Sequence, residues 1–415
     1  MKYKIYLSIL IIIFSARVNA FDFHLSKTGQ DTAKMYDGLS SNGVTSIAFQ
    51  GDSITWFGTG GGLSKTTDFG ESFVSYYTGE RTLPYGSITA VSVFDSVVWT
   101  AGVYDSLIGE NEETVGGGLA VSLDHGTTWK YVDQPTDDPN DKWDIWAGDT
   151  VRFLPNTVRV SNTTWDIATT KDYVYIVSWA GGLRRSKDFG ETWQRVPLPA
   201  DNKTTLGDEK IDYEINPRDP AGGGNHNHKG FSVIAYADTV WVGTANGINR
   251  GIVKDDYIQW TKFNAQNSSI CGNFVVGLHR QLHNGRETIW AVNLPADNPG
   301  EYQGISKTTD GGLTWSVVLE NERAYSVSSH DSVVFVSTQN GLFKSIDGEN
   351  WAMYKTPKEI GGDQILDQRV YEARVDTRNE KPELWIGTSD GIAKKELNKT
   401  DWEIYRSVLS TQSKN

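Results

Sequence analysis

The chain has 415 residues, with 52 acidic against 39 basic, a formal charge of −13 and a single cysteine, Cys271. The charge argues against nucleic acid as a partner, because backbone binding needs a cationic stripe. One cysteine permits no internal disulfide, so packing and sheet hydrogen bonds must stabilise the fold, and the 42 glycines and 15 tryptophans point to tight turns and aromatic-filled sheets.

Lys2 and Lys4 precede an apolar stretch from Ile5 to Phe14, and Val18-Asn19-Ala20 offers the small residues a signal peptidase reads. Residues 1–20 therefore read as a signal peptide, since ten apolar residues are too few to span a bilayer. The mature chain is expected to be secreted, on the cell surface or in the periplasm, without membrane insertion. Losing Lys2, Lys4 and Arg17 with the leader takes the formal charge from −13 to −16.

From about residue 44 one grammar repeats. The first unit cuts into short runs at Val44–Phe49, Ile54–Gly58, Leu63–Thr66 and Phe73–Tyr77, separated by turns rich in glycine and aspartate. Four strands of this length form one antiparallel sheet too small to bury its own faces. Later units begin near Ile88, Trp165, Phe231, Val275, Ala324 and Val370, which makes seven. Five carry an acidic turn closed by Trp or Phe, of the form Ser/Thr-x-Asp-x-Gly at Thr66–Phe73, Ser122–Trp129, Ser186–Trp193 and Thr308–Trp315, and with Gly directly after Asp at Ser345–Trp351. The aspartates Asp68, Asp124, Asp188, Asp310 and Asp347 suit capping of backbone N–H groups, and the glycine suits φ > 0. Units four and seven lack the turn but keep its closing tryptophan, Trp260 and Trp402, so the turn reads as a local stabiliser that a unit can lose. Closing aromatics are 36 to 67 residues apart, which places the excess length in loops. The expected fold is all-β: a seven-bladed β-propeller of four-stranded antiparallel blades over residues 44–405. Residues 21–43 would act as a polar strap or add an edge to blade seven, closing the ring by strand exchange. Residues 406–415 resemble the start of a linker to a further sorting domain.

These turns resemble those of the BNR or Asp-box repeat propellers, a group that includes sialidases, xyloglucan-active glycosidases, sortilin-type receptors and Ycf48-like assembly factors. The resemblance covers all seven units and implies that the five aspartates are structural, lying on the face away from the usual binding site. It does not choose a function, because the same turn serves enzymes, receptors and assembly factors.

Strand order places second-to-third turns and blade-to-blade crossings on one face. The long segments 101–118, 133–162, 197–230, 292–304 and 355–367 fall there, so they are expected to form one loop-rich rim around the channel. That rim reads as acidic and aromatic, with Glu110, Glu112, Glu113, Asp137, Asp138, Asp141, Asp149, Asp208, Glu209 and Glu214. Candidate binding residues are Trp143, Asp144, Trp146, Tyr213, His226, His228 and Tyr302. Carboxylates beside indoles suit a glycan, or oxygen ligation of calcium, although no calcium-loop spacing is present; a solvated acidic surface is the plain alternative. His226 and His228 follow three glycines and could turn inward on a metal or phosphate, but no third ligand is apparent nearby. Cys271 reads as a buried small side chain.

Enzyme signatures are incomplete. The early Arg-Ile-Pro stretch of sialidases is missing, Arg81 comes after blade one, and the xyloglucan-active relatives need a second propeller. No catalytic residue and no cofactor is assigned, and the favoured reading is a non-catalytic binding or scaffold module for an extracellular or cell-surface protein or glycan. A glycoside hydrolase using rim carboxylates such as Asp144 and Asp212 remains the alternative. Arg184 and Arg185 occupy adjacent strand positions, so one of them is expected to face outward.

Overall fold

The computed structural model describes residues 36–77, 82–296, 299–354, 357–358 and 362–407. The expected signal peptide, most of the segment 21–43 and residues 408–415 lie outside the described residues. The fold is a seven-bladed β-propeller of antiparallel four-stranded sheets, with two short 3-10 turns and no α-helix among the described residues. The innermost strands are Val44–Gln50, Ser87–Phe94, Thr164–Thr169, Gly230–Tyr236, Phe274–His283, Ala324–His330 and Val370–Asp376. Each lies beside the next, and the seventh returns to the first.

Apolar runs such as Thr239–Thr244 and Glu383–Thr388 become second strands because both faces of a blade are covered by neighbouring blades; from its second residue on, each of these two is buried throughout. Five second strands place a tryptophan at the same position: Trp56, Trp99, Trp241, Trp290 and Trp385, all at most 2 % exposed.

The acidic turn of one blade packs on the tryptophan of the blade before it. Asp124 shows the pattern: its Oδ1 accepts from Ser122 Oγ at 2.8 Å and from the Thr128 N–H at 2.8 Å, and its Oδ2 accepts from Thr128 Oγ1 at 2.7 Å. The turn thus presents Gly126, at φ +81°, to Trp56, where a Cβ would lie 2.2 Å from the indole. Gly190, Gly348 and Gly70 sit likewise against Trp99, Trp290 and Trp385, and Gly312 meets Phe263, which stacks on Trp241. Trp129, Trp193, Trp315 and Trp351 meet the preceding tryptophan edge-on, with centroids 5.7 to 6.4 Å apart. In four of the junctions a cation completes the clasp, donating to a turn carbonyl while it lies over the indole: Lys65 to His125, Arg250 to Gly311, Lys307 to Gly348 and Lys394 to Phe69.

This accounts for the two units without the turn. The blades before them carry Tyr175 and Phe335 instead of tryptophan, so no indole awaits a turn. Insertions fill these junctions: Trp146, Val151, Phe153, Leu206, Ile211 and Ile215 join the core between blades three and four, and Ile365 joins that between six and seven. The turn is therefore part of a junction between blades, rather than a stabiliser local to its own unit.

Of the segment expected to strap the ring or edge blade seven, only residues 36–43 are described. Tyr36–Asp37 pairs with the outer strand of blade one, not with blade seven, and Glu403–Tyr405 supplies the last strand of blade seven. A backbone hydrogen bond from Gly391 to the Asn42 carbonyl, 2.8 Å, crosses the seam, and side chains add to it. Arg378 binds buried Asp376 at 2.7 Å and reaches into blade one, donating to the Ile54 carbonyl at 2.6 Å, the Gln50 carbonyl at 3.0 Å and Thr55 Oγ1 at 2.8 Å.

Candidate functional site

The insertions expected on the rim are largely folded against the blades. Residues 101–118 form most of an extended hairpin, Val97–Ile108 with Asn111–Ser122. Residues 133–162 contain a second hairpin, Trp143–Trp146 with Asp149–Arg152, bridged to the next insertion at Phe153 and Ile215. It covers the outer strands of blade three, so both Arg184 and Arg185 are buried. Arg184 makes a bidentate pair with Asp137 at 2.7 and 2.9 Å, and Arg185 lies over Trp146 and Tyr173. Alternation in a strand predicted one exposed arginine; the insertion covers the other face.

The candidate binding residues are dispersed by this packing. Trp143 is 56 % exposed on the hairpin, while Trp146 is 2 % exposed inside the core. Asp144 accepts from Arg195 Nε at 3.1 Å. Tyr213 donates to the Leu198 carbonyl and stacks on His228. His228 accepts from the Asn216 N–H at Nδ1 and donates from Nε2 to the Leu198 carbonyl, and burial pulls its pKa down to about 4. His226 Nε2 lies 3.5 Å from Asp219. Tyr302 is half-buried, its N–H bonded to the Cys271 carbonyl. Among the described residues, no three His, Cys, Asp or Glu side chains are grouped to hold a metal ion. Burial pushes the Cys271 thiol up to about 11, against the hydrogen bond it shares with Ser306 Oγ.

A feature unforeseen from the sequence lies at the channel. Every innermost strand carries a β-bulge at the same place, near its start on the loop-bearing face. A bulge leaves one residue out of the ladder and re-aims its side chain. The seven residues are Thr45, Thr89, Trp165, Phe231, Val276, Tyr325 and Tyr371. Thr45 and Thr89 donate to carbonyls of the next innermost strand, at Ile88 and Thr164, which binds blades one to three together. The remaining arc is aromatic apart from Val276. Phe231 packs on Trp179 and Phe274 with centroids 5.2 and 5.7 Å away, and Tyr325 meets Tyr371 at 5.2 Å.

Polar groups follow directly beneath this collar. Asp166, next to Trp165, accepts from the N–H groups of Ile167 and Val233 at 2.8 and 2.9 Å, yet burial still raises its pKa to about 6. Glu372, next to Tyr371, is raised to about 7, also by burial, with the charge of Arg374 opposing. Glu372 Oε1 and Arg374 Nε face each other at 2.8 Å without the alignment of a hydrogen bond. Arg374 is 39 % exposed and acts electrostatically on Asp166 and on His279, whose pKa burial lowers to about 3. Two carboxylates thus share one guanidinium in a water-accessible channel.

Comparison with protein-family models returns no match, and neither does comparison with curated proteins. Solved structures are similar. A GH74 enzyme of Niastella koreensis superposes with a TM-score of 0.55 at 16 % identity, covering 88 % of this chain and 55 % of that one. The extracellular domain of the putative hybrid two-component system BT3049 of B. thetaiotaomicron gives 0.54 at 16 %, covering 86 % and 40 %. The GH74 xyloglucanase of Xanthomonas campestris gives 0.52 at 14 %, covering 90 % and 56 %. The likeness is one of fold. This chain spans about two fifths of the first structures matched, which are also extracellular domains, and just over half of the GH74 enzymes. No helix among the described residues is long and apolar enough to cross a membrane.

Proposed function

We propose that the chain is an exported, non-catalytic binding or scaffold module that holds a protein or glycan on its loop-bearing face, at the mouth of the channel. One observation carries the reading. Bulges set aromatic residues at the loop-bearing ends of four innermost strands, whereas the acidic insertion of blade three is engaged in the fold through the pairs of Asp137 with Arg184 and of Asp141 and Asp144 with Arg195. An aromatic floor with a few polar groups suits recognition, with flat rings for apolar or sugar faces and polar atoms for orientation. The likeness to both extracellular domains and glycosidases is compatible with it and does not decide between them.

The experiment is a glycan and peptide array probed with the mature chain, followed by incubation of each hit with pure protein. Binding without product, weakened by Trp179→Ala or Tyr371→Ala and retained in Asp144→Asn and Asp212→Asn, is the expected result. Product release that Asp144→Asn or Asp212→Asn abolishes would establish the hydrolase instead.

A further inference from the structure

We propose that the junction between blades six and seven takes a bulky aromatic side chain of a partner polypeptide, in a pocket that opens on the loop-bearing face. The site is separate from the channel mouth and independent of what binds there.

A cavity of about 360 Å³ lies in this junction. Its walls come from both blades: Leu342, Met353 and Tyr354 on the third and fourth strands of blade six, and Val370, Ile386 and Trp402 on blade seven. Asn340, Gly341 and Thr388 lie at its open end, where second strands turn into third strands. Gly341 shows the clearance, because a Cβ there would come no closer than 3.8 Å to Met353 and 3.9 Å to the Gln368 carbonyl. This is one of the two junctions without the acidic turn, and Phe335 stands where a clasped blade has its indole. Crossings elsewhere send an apolar side chain into the core they span, as Leu83 and Ile270 do. Ile365 is buried in the same way, yet the cavity remains beside it.

The surroundings select the occupant. Small-ligand sites run from about 300 to 1,000 Å³, so this cavity suits one large side chain better than a glycan chain. Its rim charges are already engaged: Asp367 with Arg369, Asp363 and Asp390 with Arg406, and Glu322 with Asn340. Charge therefore does not choose the ligand, and apolar walls that include two rings and the Met353 thioether favour an aromatic group. A shallower depression lined by Gln364, Leu366 and Asp390 adjoins the pocket and shares Ile365, Asp367 and Gln368 with it. Among the described residues, Gln368 makes no hydrogen bond through its N–H, carbonyl or side-chain amide. An extended peptide can take main-chain bonds from such groups while one of its side chains enters the pocket. Leu366 and Met353, 77 % and 53 % exposed, add apolar surface for that segment to cover.

The test uses calorimetry on the protein at pH 7.5 with the blocked peptide Gly-Gly-Trp-Gly-Gly, its counterpart Gly-Gly-Ala-Gly-Gly, and 3-methylindole, which carries the ring without a main chain. The tryptophan peptide is expected to bind at least about tenfold more tightly than the alanine peptide, and more tightly than 3-methylindole. Met353→Trp, which fills the pocket from the outer strand of blade six, should abolish binding with thermal unfolding unchanged, while Leu313→Ser, on the opposite face, leaves binding unchanged. In the unmodified protein, bound peptide should slow hydrogen exchange at 340–343 and 366–371. Equal affinity of the two peptides overturns the assignment, as do full affinity in folded Met353→Trp, exchange unchanged at both segments, and no saturable binding up to about 20 mM. Binding of 3-methylindole as tight as that of the peptide would make the occupant a small aromatic molecule, and self-association that the peptide disperses would make it a second copy; either result overturns the partner assignment. If an array hit protects the channel mouth and the tryptophan peptide does not bind, this site fails while the binding-module reading stands. Peptide binding in the pocket with no array hit at the mouth sustains this site alone.

Discussion

Gly126→Ala isolates the clasp between blades. Gly126 sits at φ +81°, so any side chain there carries backbone strain of about 1–2 kcal/mol. The added Cβ would also lie 2.2 Å from Trp56 Cη2, and Trp56 is fully buried and cannot swing aside. Overpacking of this kind costs about 1–3 kcal/mol, giving a loss of about 2–5 kcal/mol in all. Gly148 is the control: at φ +79° it closes the hairpin of the blade-three insertion, and a Cβ there meets nothing within 4 Å. Gly148→Ala should lose only the backbone part, about 1–2 kcal/mol. Urea unfolding followed by tryptophan fluorescence would compare the two, and Trp56→Leu in the Gly126→Ala background should return part of the loss by opening space. Equal destabilisation by the two alanines, or no relief from the second substitution, would refute the claim that the acidic turn acts through the preceding blade.

Trp193→Ala, which removes an indole packed edge-on against Trp99, should cost about 3 kcal/mol, whereas Asp188→Ala loses a turn cap worth about 0.5–2 kcal/mol; denaturant melts showing the reverse order would count against the clasp. Arg378→Ala leaves Asp376 buried without its cation and should lower stability by about 3–5 kcal/mol; a thermal shift no larger than that of a surface arginine would deny Arg378 its part in closure. Glu372 keeps its proton to about pH 7 in the fold but releases it near 4.5 when unfolded, so its contribution is favourable below 4.5 and is lost as pH rises through 7. Glu372→Gln should therefore gain on wild type between pH 5 and pH 8.5, by up to roughly 3 kcal/mol, and a stability difference flat over that range would contradict the burial argument.

The seven-bladed architecture was legible because its signals are local and repeated. A turn of Ser/Thr, Asp and Gly, a closing aromatic and a buried second strand recur whatever the loop lengths. The dependence between blades was also present in the string, unread: Tyr175 and Phe335 replace tryptophan in the two units that precede those without the turn. The channel mouth was hidden for a physical reason. A bulge adds one residue to a strand and breaks the alternation by which faces are assigned, so Trp165, Tyr325 and Tyr371 read as ordinary strand residues. The signal that would have found them is an aromatic followed by a polar residue at the start of a first strand, as in Trp165-Asp166, Phe231-Ser232, Tyr325-Ser326 and Tyr371-Glu372. The insertions misled in the opposite sense. Acidic and aromatic composition suggested a displayed surface, but Asp137 and Trp146 meet Arg184 and Arg185 only in three dimensions, and the glycines before His226 and His228 bring His228 into the core instead of toward a metal.

The most direct measurement is hydrogen–deuterium exchange of the protein with and without its tightest array hit. Binding at the channel mouth predicts slowed exchange in the segments 163–167, 178–182, 230–232, 324–327 and 370–373, at the bulged ends of the innermost strands and the turn that bears Trp179. Protection confined to the acidic turns at 186–193 and 308–315, on the opposite face, would contradict it.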